Sequence, residues 1–398
     1  MADERGAALL RAGVTSPRAT FLELFFDLVF VFALTRVSQR IIDDLATARR
    51  ELLVEIAQTL LIFLAFWAVW TLTAWVTSRY EPERAEIQLV VVCSMLGCMV
   101  MAVATPRAFA ERALAFALGY VAVQVGRPLF LTVALRGHPR RQITVRIAAW
   151  ATVSAVPWVL GALLPGRWRL ACWTVAVAID YVGLMFGWPT PRLGTTRAST
   201  WEVLGEHLAE RYQQFFLIAL GENILVIGLS FSGHSFSRAS SGAFLLSFVT
   251  TGLLWRIYFH RAGHLFAEAI RVSRSPGKLG ESASWTHLVI VGGVLMTAVG
   301  YELAIAHPHQ RAGLAWAFFL MGGPAIFLTA RARFEYEIFG RVSRSRVVGV
   351  LVLVALMPVA ARVSTVIALA SATAVLVAIT VADFARSYGR PVERPAPG

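Results

Sequence analysis

The residues of this chain that could do chemistry are ionisable side chains inside long apolar stretches. Glu23 and Asp27 lie in "LELFFDLVFVFALTR", and Asp180 and Glu222 lie within two further apolar stretches. A charge at the centre of a bilayer costs about 2.5–3.5 kcal/mol on insertion scales, so such groups usually face the interior of a helix bundle. There they line a path for a substrate or ion, or they hold neighbouring helices together. Both interpretations are open for each carboxylate.

Glu23 and Asp27 are four residues apart, so they share one face of a predicted helix. Arg36 comes nine residues after Asp27, which places it about half a turn round the helix. An ion pair within this helix is therefore excluded for Asp27 and Arg36. The spacing predicts partners on another span, or at Arg18 where the helix enters the membrane.

Glu222 follows Arg211 by eleven residues, so the two side chains lie on one stripe of a helix, about 16 Å apart along its axis. Asn223 adds an amide beside the carboxylate. A carboxylate at this depth predicts a proton- or ion-coupling group.

His207 and Glu210 come just before that span and are three residues apart, a spacing that can bind a metal ion. No second cluster of such residues follows, so we expect no metal site. The segment is interpreted as the charged start of a helix.

Asp180 lies in the sixth apolar stretch, where Arg127 or Arg256 could supply its cation. His287 and Glu302 lie near opposite ends of the ninth stretch and could bracket a path. The candidates for a substrate or ion path are Glu222, Asp27, Glu23, Asp180, Asn223 and Arg211, and those for structural or gating roles are His207, Glu210, Arg256, His287 and Glu302.

Composition places these residues in a membrane protein. Of 398 residues, 57% are hydrophobic and only 15% are charged, and the mean hydropathy is +0.64. A soluble protein carries about a quarter charged residues. The net charge of +13 predicts arginine-rich loops beside anionic lipid headgroups, and no nucleic-acid partner. A small solute or ion is the other expected partner.

The sequence predicts an all-α, polytopic transmembrane helix bundle of about twelve spans. Lys and Arg concentrate in the N-terminus, alternate loops and the tail, which predicts a multi-pass protein of the inner membrane with both termini cytoplasmic. Very few residues separate the last two predicted spans, so a bundle of eleven spans is an open alternative. The predicted spans are 21–40, 52–77, 87–105, 110–135, 143–164, 168–188, 212–231, 242–260, 285–306, 312–330, 347–361 and 363–384.

The predicted organisation is a cytoplasmic segment 1–20, a transmembrane domain 21–384 and a disordered cytoplasmic tail 385–398. "QLVVVCSMLGCMVMAVATP" resembles "HLVIVGGVLMTAVGYELAIAHP" about half a chain later. This similarity favours two parallel six-helix repeats, 21–189 and 212–384, a duplication common in transporters.

Several classes of chemistry lack a motif in this sequence. The three cysteines lie in apolar stretches, which predicts neither a disulfide framework nor a zinc site. No Walker, Rossmann or serine-nucleophile motif occurs. We therefore expect no enzyme activity and no cofactor, with a membrane enzyme as the least favoured alternative.

Four motifs together resemble the bacterial low-temperature-requirement A (LtrA) family. They are "LELFFDLVFVFALTRVSQ", "HLAERYQQFFLIALGENIL", "WRIYFHR" and "THLVIVGGVLMTAVGYE", in that order. The resemblance covers about residues 18–384 and implies a polytopic membrane fold without an agreed substrate. It departs at Val289, where the family often has Pro, and at His260, where it often has an acidic residue. By this resemblance the signature positions are Glu23, Asp27, His207, Glu210, Arg211 and Glu222.

The leading hypothesis is a transporter coupled to protons or ions, with Glu222 as the coupling carboxylate and Asp27 and Asp180 lining the site. One alternative is a structural or sensory membrane protein with a stress or cold-growth phenotype. Another is a cation channel, since Arg18 and the Phe26-Asp27 pair resemble the Arg and Phe-Ser-Asp signature of a lysosomal and bacterial potassium-channel family.

Overall fold

The chain folds into α-helices. The computed structural model describes residues 9–10, 18–47, 52–196, 205–234, 236–388 and 393–396, and these contain no β-strand. The predicted fold class, a helical membrane bundle, is confirmed. Most of the predicted N-terminal segment 1–20 and part of the predicted tail 385–398 lie outside the described residues.

The chain divides into two compact units, Met1–Leu208 and Ala209–Gly398. The first unit contains six long helices, and a short 3-10 turn, Thr105–Arg107, follows the third of them. These helices are α1 (Phe21–Thr47), α2 (Leu52–Thr77), α3 (Ala85–Ala104), α4 (Ala113–Ala134), α5 (Arg141–Leu163) and α6 (Gly166–Phe186).

The second unit contains seven helices, the first of which begins a few residues before the division. A π-helical turn, Phe259–Gly263, separates α8 from α9, and another, Phe318–Gly322, lies within α11. The helices are α7 (Gly205–Ser232), α8 (Arg238–Tyr258), α9 (His264–Val272), α10 (Pro276–Ala306), α11 (Gly313–Phe339), α12 (Arg344–Ala360) and α13 (Thr365–Ser387).

Each of the twelve predicted spans coincides with one long helix, and α9 is an additional short one. In the described part of the chain, ten helices are long and apolar enough to cross a membrane. The two predicted spans outside that group are α1, which carries Glu23, Asp27 and Arg36, and α12, which has only 17 residues. The exact number of spans therefore stays a prediction.

Within each unit the helices pack in the same order. In the first unit α3 packs on α4, α4 on α5, α5 on α6, and α2 on α6. In the second unit α10 packs on α11, α11 on α12, α12 on α13, and α8 on α13. A duplication predicts this correspondence, because each pair occupies the same place in its half of the sequence. The repeat itself remains a prediction.

Glycines allow the closest helix contacts. A Cβ on Gly293 of α10 would lie 2.6 Å from the backbone nitrogen of Phe327 on α11, so only glycine fits there. Gly97 of α3 and Gly119 of α4 make a similar approach, with a Cβ on either one 3.1 Å from the other's carbonyl oxygen. Gly221, beside Glu222, has open space around it instead.

Candidate functional site

Glu23 closes the N-terminus of α1. Its Oε2 accepts hydrogen bonds from the Thr20 backbone N–H (2.8 Å) and hydroxyl (3.0 Å), and its own N–H donates to Thr20 Oγ1 (3.4 Å). This reciprocal arrangement is a capping box, which satisfies backbone donors that a helix start leaves open. The sequence analysis missed this role, although the pattern Thr-x-x-Glu immediately before an apolar run is its signature.

Glu23 also contacts His207 from the start of α7, and both side chains are fully buried. His207 Nε2 lies 3.1 Å from Glu23 Oε2, and His207 Nδ1 lies 2.9 Å from Ser78 Oγ. The prediction that the Glu23 partner comes from another helix is confirmed. His207 lies in the first turn of α7, as the interpretation of this segment as the charged start of a helix predicted, although its side chain is buried.

The contact with His207 joins the start of α7 to the start of α1. Glu23 Oε2 already accepts two hydrogen bonds from Thr20, so His207 Nε2 is the donor to this carboxylate. The other ring nitrogen is hydrogen-bonded to Ser78 Oγ, which follows the end of α2, so the imidazole connects three helices.

Asp27, one turn after Glu23, is fully buried and faces α2. Its Oδ1 accepts a hydrogen bond of 2.9 Å from the indole nitrogen of Trp70. The partner again lies on another helix, as the spacing predicted. Phe30, which continues this face of α1, is fully buried too.

Asp180 ends a relay of hydrogen bonds that crosses the first unit. Its Oδ2 accepts from the Tyr120 hydroxyl (2.7 Å) and the Trp158 indole nitrogen (3.4 Å). Tyr120 in turn accepts from Gln124 Nε2 (3.2 Å), and the Gln124 amide oxygen accepts from Arg127. Every donor points toward Asp180, so the relay transmits the polarising effect of the guanidinium to the carboxylate.

The predicted ion pair between Asp180 and Arg127 is therefore wrong. Tyr120 and Gln124 stand between them, and no Lys, Arg or His of the described residues lies within 4 Å of the Asp180 carboxylate. Arg127 instead donates to Thr73 Oγ1 (2.7 Å) and to the Val69 carbonyl (3.4 Å), both on α2. The other predicted cation, Arg256, contacts His260 Nδ1 at 2.7 Å.

The sequence analysis overlooked Tyr120 and Gln124 as members of this relay. A detectable signal was present, because Tyr120, Gln124 and Arg127 follow one another at spacings of four and three residues in α4. That spacing places three polar side chains on one face of an otherwise apolar helix.

Two small cavities adjoin the relay. One, of about 20 Å³, is lined by Gln124, Asp180 and Tyr181, and it has room for one water molecule. The other, of about 40 Å³, is lined by Arg127 and by Arg79 and Tyr80, which follow the end of α2. Leu72 and Ile147 line both cavities, so the two are neighbours between α2 and α5.

In the second unit, Glu222 and Asn223 are fully buried in α7. With its amide oriented to satisfy both groups, Asn223 donates to Glu222 Oε2 (3.2 Å) and to the Val294 carbonyl of α10 (3.3 Å). Arg211, on the same stripe of α7, is fully buried and donates a hydrogen bond to Gln214 Oε1 (3.2 Å). The Gln214 amide nitrogen in turn donates to Glu210 Oε1 (3.2 Å).

His287 lies in an aromatic cluster and is neutral. Its Nδ1 donates to the Ala283 carbonyl (2.7 Å), so its Nε2 accepts from the Tyr258 hydroxyl (2.8 Å). Tyr212 and Phe266 stack on the imidazole ring. Glu302 is half-buried and fifteen residues away along α10.

Arg331 on α11 supports the break between α8 and α9. His260 and Arg261 leave the helical conformation there, which frees carbonyl groups of α8. Arg331 is buried and donates to the Ile257 carbonyl (3.0 Å) and the His260 carbonyl (2.8 Å). The sequence analysis missed Arg331 because it ended this span at residue 330.

Two comparisons with known proteins bear on this arrangement. The sequence model of the family described as "Bacterial low temperature requirement A protein (LtrA)" matches residues 18–381. An uncharacterized protein of Rhizobium meliloti (strain 1021) is 37% identical over 331 residues, which cover 82% of this chain and 80% of that protein. Across the described residues, no group of three His, Cys, Asp or Glu side chains is placed to hold a metal ion.

Proposed function

The chain belongs to the bacterial low temperature requirement A (LtrA) family, and from that premise we propose that it is a transporter coupled to protons or small cations. The observation that carries the proposal is the set of carboxylates within membrane-length helices, above all Asp180. Its partners are the neutral donors Tyr120 and Trp158. A carboxylate held by neutral donors can take up and release a cation or proton without breaking an ion pair.

The cavities beside Asp180 supply a route for that exchange. One cavity adjoins the carboxylate, the next adjoins Arg127, and the latter extends to Arg79 and Tyr80 beyond the end of α2. Asp180 lies six residues before the end of α6, about 9 Å along the axis, at the same end of the predicted bundle. With the N-terminus in the cytoplasm, this route opens toward the cytoplasm.

Glu222 is the second carboxylate of the proposal. It is fully buried near the middle of α7, beside an amide that bonds to α10. The protein is proposed to reside in the cell membrane with both termini cytoplasmic, to act on a small solute or ion and to carry out no chemical conversion.

The test uses proteoliposomes loaded with a pH-sensitive dye, with imposed gradients of Na⁺ or K⁺. We expect protein-dependent proton movement with at least one cation, reduced more than about tenfold in Asp180→Asn, the size of effect that losing an essential charged group has. Glu337→Gln is the matched control, because Glu337 is buried but held by Ser282, Thr286 and Arg333. Equal proton movement in Asp180→Asn and the unmodified protein would contradict the role of Asp180.

A structural or sensory role is the second candidate, favoured by Glu23 and Asp27. Both join helices through hydrogen bonds, to His207 and Trp70 respectively. This role predicts that Asp27→Asn lowers the thermal midpoint of unfolding in detergent. It also predicts that the unmodified protein and its variants move no protons in proteoliposomes under any imposed cation gradient. A cation channel is the third candidate, and it predicts single-channel currents in planar bilayers that a coupled transporter lacks.

A further inference from the structure

A short segment of the C-terminal tail, residues 393–396, lies against the second unit. The carboxylate of Glu393 joins two arginines that belong to different connections between helices. Its Oε2 accepts from Arg261 Nη1 (3.2 Å), and its Oε1 accepts from Arg341 Nη2. Arg261 lies in the break between α8 and α9, and Arg341 lies between the end of α11 and the start of α12. One side chain of the tail therefore ties the break to the connection after α11.

The backbone of the tail is held as well. The Ala396 N–H donates to the Ile338 carbonyl (2.9 Å). Ile338 is the last residue but one of α11, and the last four carbonyls of a helix have no partner within that helix. The tail supplies the missing donor for one of them. Residues 393–396 are thus fixed at both ends, by the Glu393 side chain and by the Ala396 backbone.

The break between α8 and α9 needs such support. Arg261 has a φ of 57° and a ψ of −80°, a conformation that residues other than glycine rarely adopt and that persists only where neighbouring groups hold it. Arg331 of α11 holds the break through the Ile257 and His260 carbonyls, as described above. Gln213 Nε2 of α7 donates to the Gly263 carbonyl (2.8 Å). The tail adds a third hold, through the Arg261 side chain.

The three holds differ in their exposure to solvent. Arg331 is 1% exposed, so salt screens its hydrogen bonds little. The side chains of the tail contact are 25% exposed for Glu393, 31% for Arg261 and 62% for Arg341. Ion pairs at this exposure are weak and are screened by salt. The tail contact is therefore the hold that solution conditions can release while the others stay in place.

From these contacts we propose that the C-terminal tail is a latch on the break between α8 and α9. With Glu393 bound to Arg261 and Arg341, the break keeps the conformation of this structure. With the latch released, residues 259–263 open locally while the rest of the protein stays folded. The proposal does not depend on transport, because local opening is measured without flux.

The test is amide hydrogen exchange of the purified protein in detergent, followed by mass spectrometry on peptides that cover residues 256–266. In Glu393→Gln, these peptides should exchange about threefold to tenfold faster than in the unmodified protein, the effect of losing two partly exposed ion pairs. At about 1 M salt, where the screening length is about 3 Å, the unmodified protein should reach the rate of the variant. The rate of the variant should not respond to salt.

Two controls separate a latch from a general loss of stability. Arg394→Gln removes a charge from the exposed residue next to Glu393, and its break should exchange as in the unmodified protein. Helix α3, in the first unit, is the internal reference and should exchange equally in all three proteins.

Three results would overturn the proposal. The first is equal exchange of the break in Glu393→Gln and the unmodified protein. The second is faster exchange of α3 together with the break in Glu393→Gln, which would identify global destabilisation. The third is an equal effect of Arg394→Gln, which would mean that any change of charge in the tail acts on the break and that the contacts of Glu393 do not.

Discussion

At the scale of single residues, the carboxylates of this protein differ by their partners. Glu23 is fixed by a capping box and an imidazole, Asp27 by an indole, and Asp180 by a hydroxyl and an indole. A carboxylate that closes a helix start through several hydrogen bonds is held in one state. Asp180, held by neutral groups beside a cavity, is the one best placed to change its state.

The Glu23–His207 pair is predicted to couple two helices energetically. Glu23→Gln and His207→Gln should each lower the free energy of unfolding by about 1–3 kcal/mol, because each leaves a buried hydrogen-bonding group without its partner. The double variant should lose less than the sum of the two. Thermal midpoints of unfolding in detergent measure this double-mutant cycle. The control is Thr20→Ala, which removes only the helix cap and should lower the free energy of unfolding by about 1 kcal/mol. Strictly additive losses would show that the pair does not interact.

Asp44 is predicted to make stability depend on pH. It lies beyond the predicted span of α1, and burial raises its pKa to about 6 against the lowering effect of Arg40, with Glu55 and Asp43 raising it further. The folded state therefore binds more protons than the unfolded state between pH 4 and 6, so this group's contribution falls as pH rises through that window. In Asp44→Asn, the thermal midpoint should rise relative to the unmodified protein between pH 4.5 and 7.5. If the thermal midpoints of the two proteins changed with pH in parallel, Asp44 would make no contribution to the pH dependence of stability.

At the scale of elements, backbone approach decides which helices pack most closely. Gly293 lets the backbones of α10 and α11 approach each other with no side chain between them. A π-helical turn in α11 lies at Phe318–Gly322. Helices that lack apolar driving force against lipid gain from such close contact. The helices pack in the same order in the two units, which is the order that a duplication predicts.

Gly293→Ala is predicted to destabilise the α10–α11 pair. The added Cβ would lie 2.6 Å from the Phe327 nitrogen and 3.0 Å from the Gly323 carbonyl, and neither backbone can move cheaply. We expect a loss of about 1–3 kcal/mol in unfolding free energy. Gly228→Ala is the control, because the added Cβ would contact nothing. The higher helix propensity of alanine should raise the free energy of unfolding of this variant by up to about 1 kcal/mol. Similar midpoints for the two variants would refute the packing argument.

At the scale of the whole molecule, the number of spans fixes the topology. Helix α12 has 17 residues, about 25 Å, the shortest length that spans a bilayer core. If it crosses, the residues before and after it lie on opposite sides of the membrane.

Cysteine labelling tests this. With a membrane-impermeant maleimide, Arg362→Cys should react in intact cells, and Val342→Cys only after permeabilisation, since α12 is predicted to run outward from the cytoplasm. Reaction of both from one side would mean that α12 does not cross. The variants are made in a background in which the native cysteines Cys93, Cys98 and Cys172 are replaced by Ala.

The sequence by itself determined the membrane bundle, its helices and the burial of its carboxylates. Hydrophobic runs of membrane length leave the backbone one way to satisfy its hydrogen bonds, so the helices followed from composition. The shared face of Glu23 and Asp27 followed from helical periodicity.

Only the tertiary structure decided the partners of those carboxylates. Spacing along one helix cannot say which side chain another helix brings within 3 Å, so Trp70 and His207 were not predictable as partners. Asp180 was expected to pair with an arginine, but Tyr120 and Gln124 occupy the space between them.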